Sequence, residues 1–185
     1  MHPAVFLDRD GVIIENRPAY VRDWSEVTFY PQALDALARA YASPYKFVIV
    51  TNQSAIGRGI MTLARAQELN QKLVAAIEQH GGRIDGVYMC PHAPEAGCAC
   101  RKPEPELILQ AAQELSLDLG RSILIGDALS DILAGQAAGV QRNVLVRTGR
   151  GASQERLPKP DKLKPFVTYN TLAEALAGLL QSRGA

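Results

Sequence analysis

Ala4-Val5-Phe6-Leu7-Asp8-Arg9-Asp10-Gly11 decides how the rest of the chain is read. Four uninterrupted apolar residues suit a strand buried on both faces, as in a parallel sheet. The run breaks into two acids spaced by one residue, so both carboxylates can face the same side of an extended chain. Two such acids coexist beside a cation or by sharing a proton. Asp10-Gly11 taken alone reads as an ordinary turn, with Asp8 a cap. The reading therefore depends on whether other polar clusters also follow apolar runs.

They do. Lys46–Val50 is a second apolar strand, running into Thr51-Asn52-Gln53-Ser54. Gly86–Met89 is a third, ending at Cys90. Ser122–Ile125 is a fourth, followed by Gly126-Asp127 and, four residues on, Asp131. Val144–Arg147 is a fifth, and Phe166–Tyr169 a short edge strand. Helical periodicity fills the intervals. Gln32–Ala42 sets Ala33, Leu34, Leu37, Ala38 and Tyr41 on one face. Thr62 caps a helix that reaches about His80, where Gly81-Gly82 stops it. Glu106–Leu115, Leu129–Ala138 and Thr171–Leu180 complete the set, while residues 148–165 are polar and carry no periodic core signal. Strands alternating with helices predict an α/β protein, a parallel sheet with helices on both faces. In such sheets the ligand site lies outside the carboxyl ends of the strands.

Composition sets the outer limits. One domain over residues 1–185 is expected at this length, with 47% apolar residues and a net charge of +1. Near-neutrality speaks against a partner bound by bulk electrostatics, so no nucleic acid is expected. The longest apolar runs are far too short to span a bilayer. The N-terminus lacks the basic and apolar regions of a signal peptide, so no membrane association and a cytoplasmic monomer are expected.

Each polar cluster has a chemical and a bland reading. Thr51 with neighbouring backbone N–H groups can hold phosphoryl oxygens, or form a polar turn. Arg101-Lys102-Pro103, just before a helix, is either a solvated loop or the source of an ammonium for a phosphate. Asp127 is a candidate hard-cation ligand. Asp131 is either a helper one helical turn away or a first-turn acid favoured by the helix dipole. Together these residues form the set needed for Mg²⁺-assisted phosphoryl transfer to a carboxylate.

The four segments, in this order and spacing, resemble the four motifs of the haloacid dehalogenase (HAD) superfamily of phosphatases over nearly the whole chain. The resemblance implies a Rossmann-like HAD fold. It also implies Asp8 as nucleophile and Asp10 as general acid and then base. Mg²⁺ would be held by Asp8, the Asp10 carbonyl and Asp127, and the phosphoryl group by Thr51 and Lys102. A receiver-type signalling module also combines acids, Mg²⁺, Thr and Lys on a parallel sheet. It expects adjacent acids after the first strand, whereas here Arg9 separates them.

All three cysteines lie within a short window: Cys90, Cys98 and Cys100, with His92 between them. Cys98 and Cys100 are too close for a comfortable bridge, and a third thiol would remain. Cys₃His matches a closed structural zinc site, and a loop this poor in apolar residues needs metal ligation in place of a core. Zinc would then fix the loop that presents Arg101 and Lys102.

This zinc-bound loop, followed by Cys-Arg-Lys-Pro, resembles two groups of the superfamily. They are the D-glycero-D-manno-heptose 1,7-bisphosphate phosphatases and the histidinol-phosphate phosphatases. Asp-Arg-Asp-Gly, Thr-Asn-Gln-Ser-x-Ile-x-Arg-Gly and Val-Leu-Val-Arg-Thr-Gly favour the heptose group. That resemblance implies removal of the C7 phosphate to leave heptose 1-phosphate, feeding activated-heptose synthesis for lipopolysaccharide or other surface glycans. The His92–Cys98 segment is short, and Ala128 stands where a Lys is common in relatives; both leave the anomer open. Glu15–Tyr30 and Gln53–Met61 leave no room for a large cap domain, so rim residues must select the sugar. Candidates are Asn16, Arg17 and Tyr20 on the first loop, Asn52, Gln53 and Ser54 after the second strand, and Arg101 for a second phosphate. Trp24 and Tyr30 read as packing residues, and His2 and His80 as surface residues.

Overall fold

The computed structural model describes residues 1–180. Its strands are β1 (Ala4–Leu7), β2 (Lys46–Asn52), β3 (Gly86–Cys90), β4 (Ile123–Gly126), β5 (Arg142–Val146) and β6 (Val167–Tyr169). Its helices are α1 (Ala33–Arg39), α2 (Ser54–Gly57), α3 (Leu63–Gln79), α4 (Glu106–Glu114), α5 (Leu129–Ala138), α6 (Gly151–Gln154) and α7 (Leu172–Leu180). All six strands join one parallel sheet in the order β3-β2-β1-β4-β5-β6. No helix among the described residues is long and apolar enough to cross a membrane.

Alternation along each strand splits the core in two. Val5, Leu7, Phe47 and Ile49 face a layer with Leu37, Leu69, Leu73 and Leu176 of α1, α3 and α7. Ala4, Phe6, Val48 and Val50 face Leu107, Ile108, Ile132 and Ala134 of α4 and α5. Helices therefore cover both faces, and the β1 residues are buried completely. From β1 the chain builds outward to β2 and β3, then returns to β4 on the other side. That reversal opens a crevice at the carboxyl ends of β1 and β4.

Several boundaries differ from the periodicity reading. α1 runs only from Ala33 to Arg39, and Tyr41 beyond it is exposed rather than packed with Leu37. The helix stops at Ala40, and Arg83 lies over the Tyr41 ring. β2 extends through Asn52, because Thr51 and Asn52 pair with Met89 and Cys90. β5 starts at Arg142 and ends before Arg147. Gln53–Met61, expected as a connecting loop, and residues 148–165, which carry no periodic core signal, each contain one helical turn, α2 and α6. Between β1 and α1 there is only a loop with a single 3₁₀ turn, Trp24–Glu26, so nothing of domain size caps the crevice.

Candidate active site

The sequence changes character at each strand end, and the sheet register carries those changes to one place. Leu7 pairs with Ile49 and Ile125, so Asp8, Thr51 and Asp127 emerge side by side from β1, β2 and β4. Asp8 and Thr51 border a cavity of about 510 Å³. Its lining includes Asp8, Asp10, Asn16, Arg17, Tyr20, Thr51, Asn52, Gln53, Ser54, Arg101 and Lys102.

Lys102 is the electrostatic centre. Its ammonium is buried, 2.9 Å from Asp8 Oδ1 and 2.7 Å from Asp131 Oδ1, and it donates to the Val50 carbonyl at 2.8 Å. Burial works against its charge, but the two carboxylates outweigh that cost and hold its pKa above the usual lysine range. Burial pushes Asp8 up to about 6; Lys102 opposes the rise, while Asp131 and Asp10 add to it. Asp8 Oδ1 also accepts the Arg9 backbone N–H at 2.8 Å. Asp131 spends its other oxygen on the Ala128 N–H at 3.0 Å, at the start of α5. The chain holds Asp131 as a partner of Lys102 and of that backbone.

Asp127 is fully buried. Its Oδ2 accepts from Asn16 Nδ2 at 2.8 Å and from the Arg150 N–H at 2.9 Å, while Arg150 Nη2 lies 3.2 Å from Oδ1. Burial and Asp8 raise its pKa, against Arg150. Glycine is required on either side of this carboxylate. Gly11 and Gly149 both adopt positive φ, and a Cβ on either would stand 2.1 or 2.4 Å from Asp127 Oδ2.

The donor set fits a hard divalent cation. Asp8, Asp127 and Asp131 each offer an oxygen within 4.8 Å of the others. Four carboxylates, counting Asp10, face three cations, Lys102, Arg9 and Arg150. An all-oxygen, net-negative cluster suits Mg²⁺.

Asp10 sits at the rim, gripped by its neighbour. Arg9 Nε and Nη2 reach Asp10 Oδ2 and Oδ1 at 2.9 and 3.2 Å. Gln53 Nε2 donates to Asp10 Oδ2 and to Thr51 Oγ1, both at 2.9 Å. Gln53 was expected to face sugar hydroxyls; its amide is instead consumed inside the protein. Asn52 likewise exchanges two hydrogen bonds with the Lys102 backbone. Arg17 donates to the Glu26 carbonyl and Thr28 Oγ1, so its guanidinium braces the first loop. Tyr30 packs against the core as expected, and its hydroxyl also accepts the Gly149 N–H at 2.9 Å.

The second cluster joins Cys90, the last residue of β3, to the loop that follows it. Cys90, His92, Cys98 and Cys100 converge, with sulfur–sulfur distances of 3.6, 3.1 and 3.5 Å. His92 Nδ1 is 3.7 Å from Cys90 Sγ and 3.3 Å from Cys100 Sγ. Tetrahedral zinc with Zn–S of about 2.3 Å separates sulfurs by about 3.8 Å, so the set fits such an ion with small adjustments. Arg101 ties this loop to α2, donating to Ser54 Oγ at 2.8 Å and to the His92 carbonyl at 3.2 Å.

Three residues of the site were not found by reading the sequence. Arg150 lies in the polar stretch after β5; its one signal is a cation just past a strand's carboxyl end. Arg9 looked like a spacer between two acids, yet it is 1% exposed. Asn70 of α3 receives Arg9 Nη1 at 2.9 Å and looked like one polar residue of a helix.

Residues 99–175 match a family model described as HAD-hydrolase-like. The D-glycero-β-D-manno-heptose-1,7-bisphosphate 7-phosphatase of Helicobacter pylori is 44% identical over 144 residues, 77% of this chain and 83% of the relative. The Pseudomonas aeruginosa protein of the same name is 33% identical over 177 residues, covering 96% and 97%. Among solved structures, the D,D-heptose 1,7-bisphosphate phosphatase of B. bronchiseptica, complexed with magnesium and phosphate, superimposes with a TM-score of 0.90. It is 34% identical, and the match covers 97% of this chain and 99% of that one. A sheet reversing at β1, acids at the ends of β1 and β4, and full-length relatives at these identities converge on one assignment: the chain belongs to the HAD-like family of D-glycero-β-D-manno-heptose-1,7-bisphosphate 7-phosphatases.

Proposed function

We propose that the chain, acting through residues 1–185 as one catalytic domain, hydrolyses the C7 phosphate of D-glycero-D-manno-heptose 1,7-bisphosphate to give heptose 1-phosphate. The carrying observation is the buried Asp8–Lys102–Asp131 chain of ion pairs at the carboxyl ends of β1 and β4. An ammonium held between two carboxylates at a cavity floor is a preorganised charge for an incoming phosphoryl group.

Asp8 is the nucleophile. Its contacts with Lys102 and Arg9 fall on Oδ1, which leaves Oδ2 for attack on phosphorus. The P–O bond to the C7 oxygen breaks as Asp8 becomes an aspartyl phosphate. Asp10 gives a proton to the departing oxygen, then takes one from the water that attacks the aspartyl phosphate. Thr51 and Lys102 hold the transferring oxygens. Magnesium, taken by Asp8, Asp127 and the Asp10 backbone carbonyl, would neutralise the phosphoryl charge that repels a carboxylate. Zinc, taken by Cys90, His92, Cys98 and Cys100, would have no open position and serve as a staple. Asn16, Tyr20, Ser54 and Arg101 line the same cavity, where the sugar and its second phosphate would be read.

The test is phosphate release with Mg²⁺ from both anomers of the heptose bisphosphate and, in parallel, from L-histidinol phosphate. A kcat/KM preference for the heptose, with the 1-phosphate as product, is expected. A preference for histidinol phosphate would overturn the substrate assignment while leaving the chemistry.

A further inference from the structure

We propose that Gln53, set by Arg9, is a positioning residue that aims Asp10 for proton transfer and turns the Thr51 hydroxyl toward the phosphoryl group. The inference rests on the reading of Asp10 as the acid and base of the reaction.

Arg9 is donor-only, so the Gln53 atom 3.0 Å from Arg9 Nη2 must be its amide oxygen. That choice fixes the other end of the amide. Nε2 then has its two protons on Asp10 Oδ2 and Thr51 Oγ1, each at 2.9 Å. Gln53 is 4% exposed, and both ends of its amide are occupied. With both Nε2 protons taken, it has no side-chain donor left to offer a sugar.

Two consequences follow. Asp10 Oδ2 accepts twice, from Arg9 Nε at 2.9 Å and from Gln53, whereas Oδ1 accepts only the longer contact from Arg9 Nη2 at 3.2 Å. A proton on Oδ2 would cost one of the two short bonds. The proton that passes to the leaving oxygen is therefore carried on Oδ1, and the one taken from water returns there. Thr51 Oγ1, already accepting from Gln53, is left with its own proton to donate. The same amide thus orients the acid and the phosphoryl donor together.

Arg9 supplies the fixed point. Its guanidinium is buried, with one charged partner, Asp10, and two neutral ones, Gln53 and Asn70. Asn70 anchors Nη1 from α3 and donates its own amide to Met89 Sδ at 3.6 Å. A buried guanidinium held from three sides has one orientation, and the fork it presents to Asp10 follows.

A positioned general acid matters in proportion to how poor the leaving group is. The experiment compares Gln53→Met, Asn70→Leu and Asp10→Asn with wild type on aryl phosphates, from phenyl phosphate to 4-nitrophenyl phosphate, and on the heptose bisphosphate. Asp10→Asn should lose about 10²- to 10⁴-fold on the poorest leaving groups. Gln53→Met should lose about 10- to 100-fold in kcat on phenyl phosphate beyond its loss on 4-nitrophenyl phosphate, with Asn70→Leu in the same direction and smaller. Equal losses across the series in Gln53→Met would overturn the proposal and leave Gln53 a structural residue. A rise in KM alone would overturn it in favour of substrate contact. Turnover of aryl phosphates with none of the heptose would overturn the substrate assignment alone, and the series would still decide this inference. Absence of turnover with every substrate would overturn both.

Discussion

The carboxylate cluster and the Cys₃His cluster are assembled by opposite means. Asp8, Asp127 and Asp131 are 6%, 0% and 2% exposed, and each has cationic or backbone partners already in place. They sit at the ends of β1 and β4 and at the start of α5, positioned by the register of the buried central strands. Cys90 closes β3 and is buried in the core, whereas His92 is exposed and Cys98 and Cys100 are half-buried on the loop that follows, packed against the core from outside. The first cluster is held by the fold; the second, with the zinc proposed for it, would hold a piece of the fold. Arg101 and Lys102 are where they meet, since the loop that ends at Cys100 delivers the ammonium between Asp8 and Asp131.

That contrast can be broken at two points. The larger effect should come from Lys102→Met. It leaves Asp8 and Asp131 buried without their shared cation, a change that typically costs about 3–5 kcal/mol. Denaturant titration should show that loss, with turnover abolished. A variant as stable as wild type would mean the sheet alone, without the ion pairs, sets the carboxylate geometry. The smaller effect should follow zinc removal by a chelator with Mg²⁺ restored afterwards. The sheet should persist by circular dichroism, while kcat falls about tenfold or more as Arg101 and Lys102 lose their fixed approach. Full activity without zinc would show that the loop needs no staple.

How much of this was legible depended on where the information lies. Asp8, Thr51 and Asp127 were readable because an apolar run ends abruptly at each, and parallel sheets gather such ends. The Cys₃His set was readable because soft ligands are rare and stood within one short window. Gln53 was read as a sugar contact because its true partners are set by a side chain that folds back. Nothing in Asp-Arg-Asp shows that Arg9 turns inward to meet Asn70 from a helix 61 residues away. Arg150 was hidden for a related reason: it sits in a stretch without periodicity, and its partner is 23 residues back at the end of β4. Tyr41 was placed on a core face because its spacing matched, but α1 ends before it does.

The central claim is that Asp8 carries the phosphoryl group. Rapid-quench mass spectrometry of the enzyme mixed with Mg²⁺ and heptose bisphosphate tests it most directly. A transient phosphoryl adduct is expected on the peptide containing Asp8, formed and lost within turnover and absent in a folded, inactive Asp8→Asn variant. Turnover retained by Asp8→Asn, or an adduct on any other residue, would contradict it.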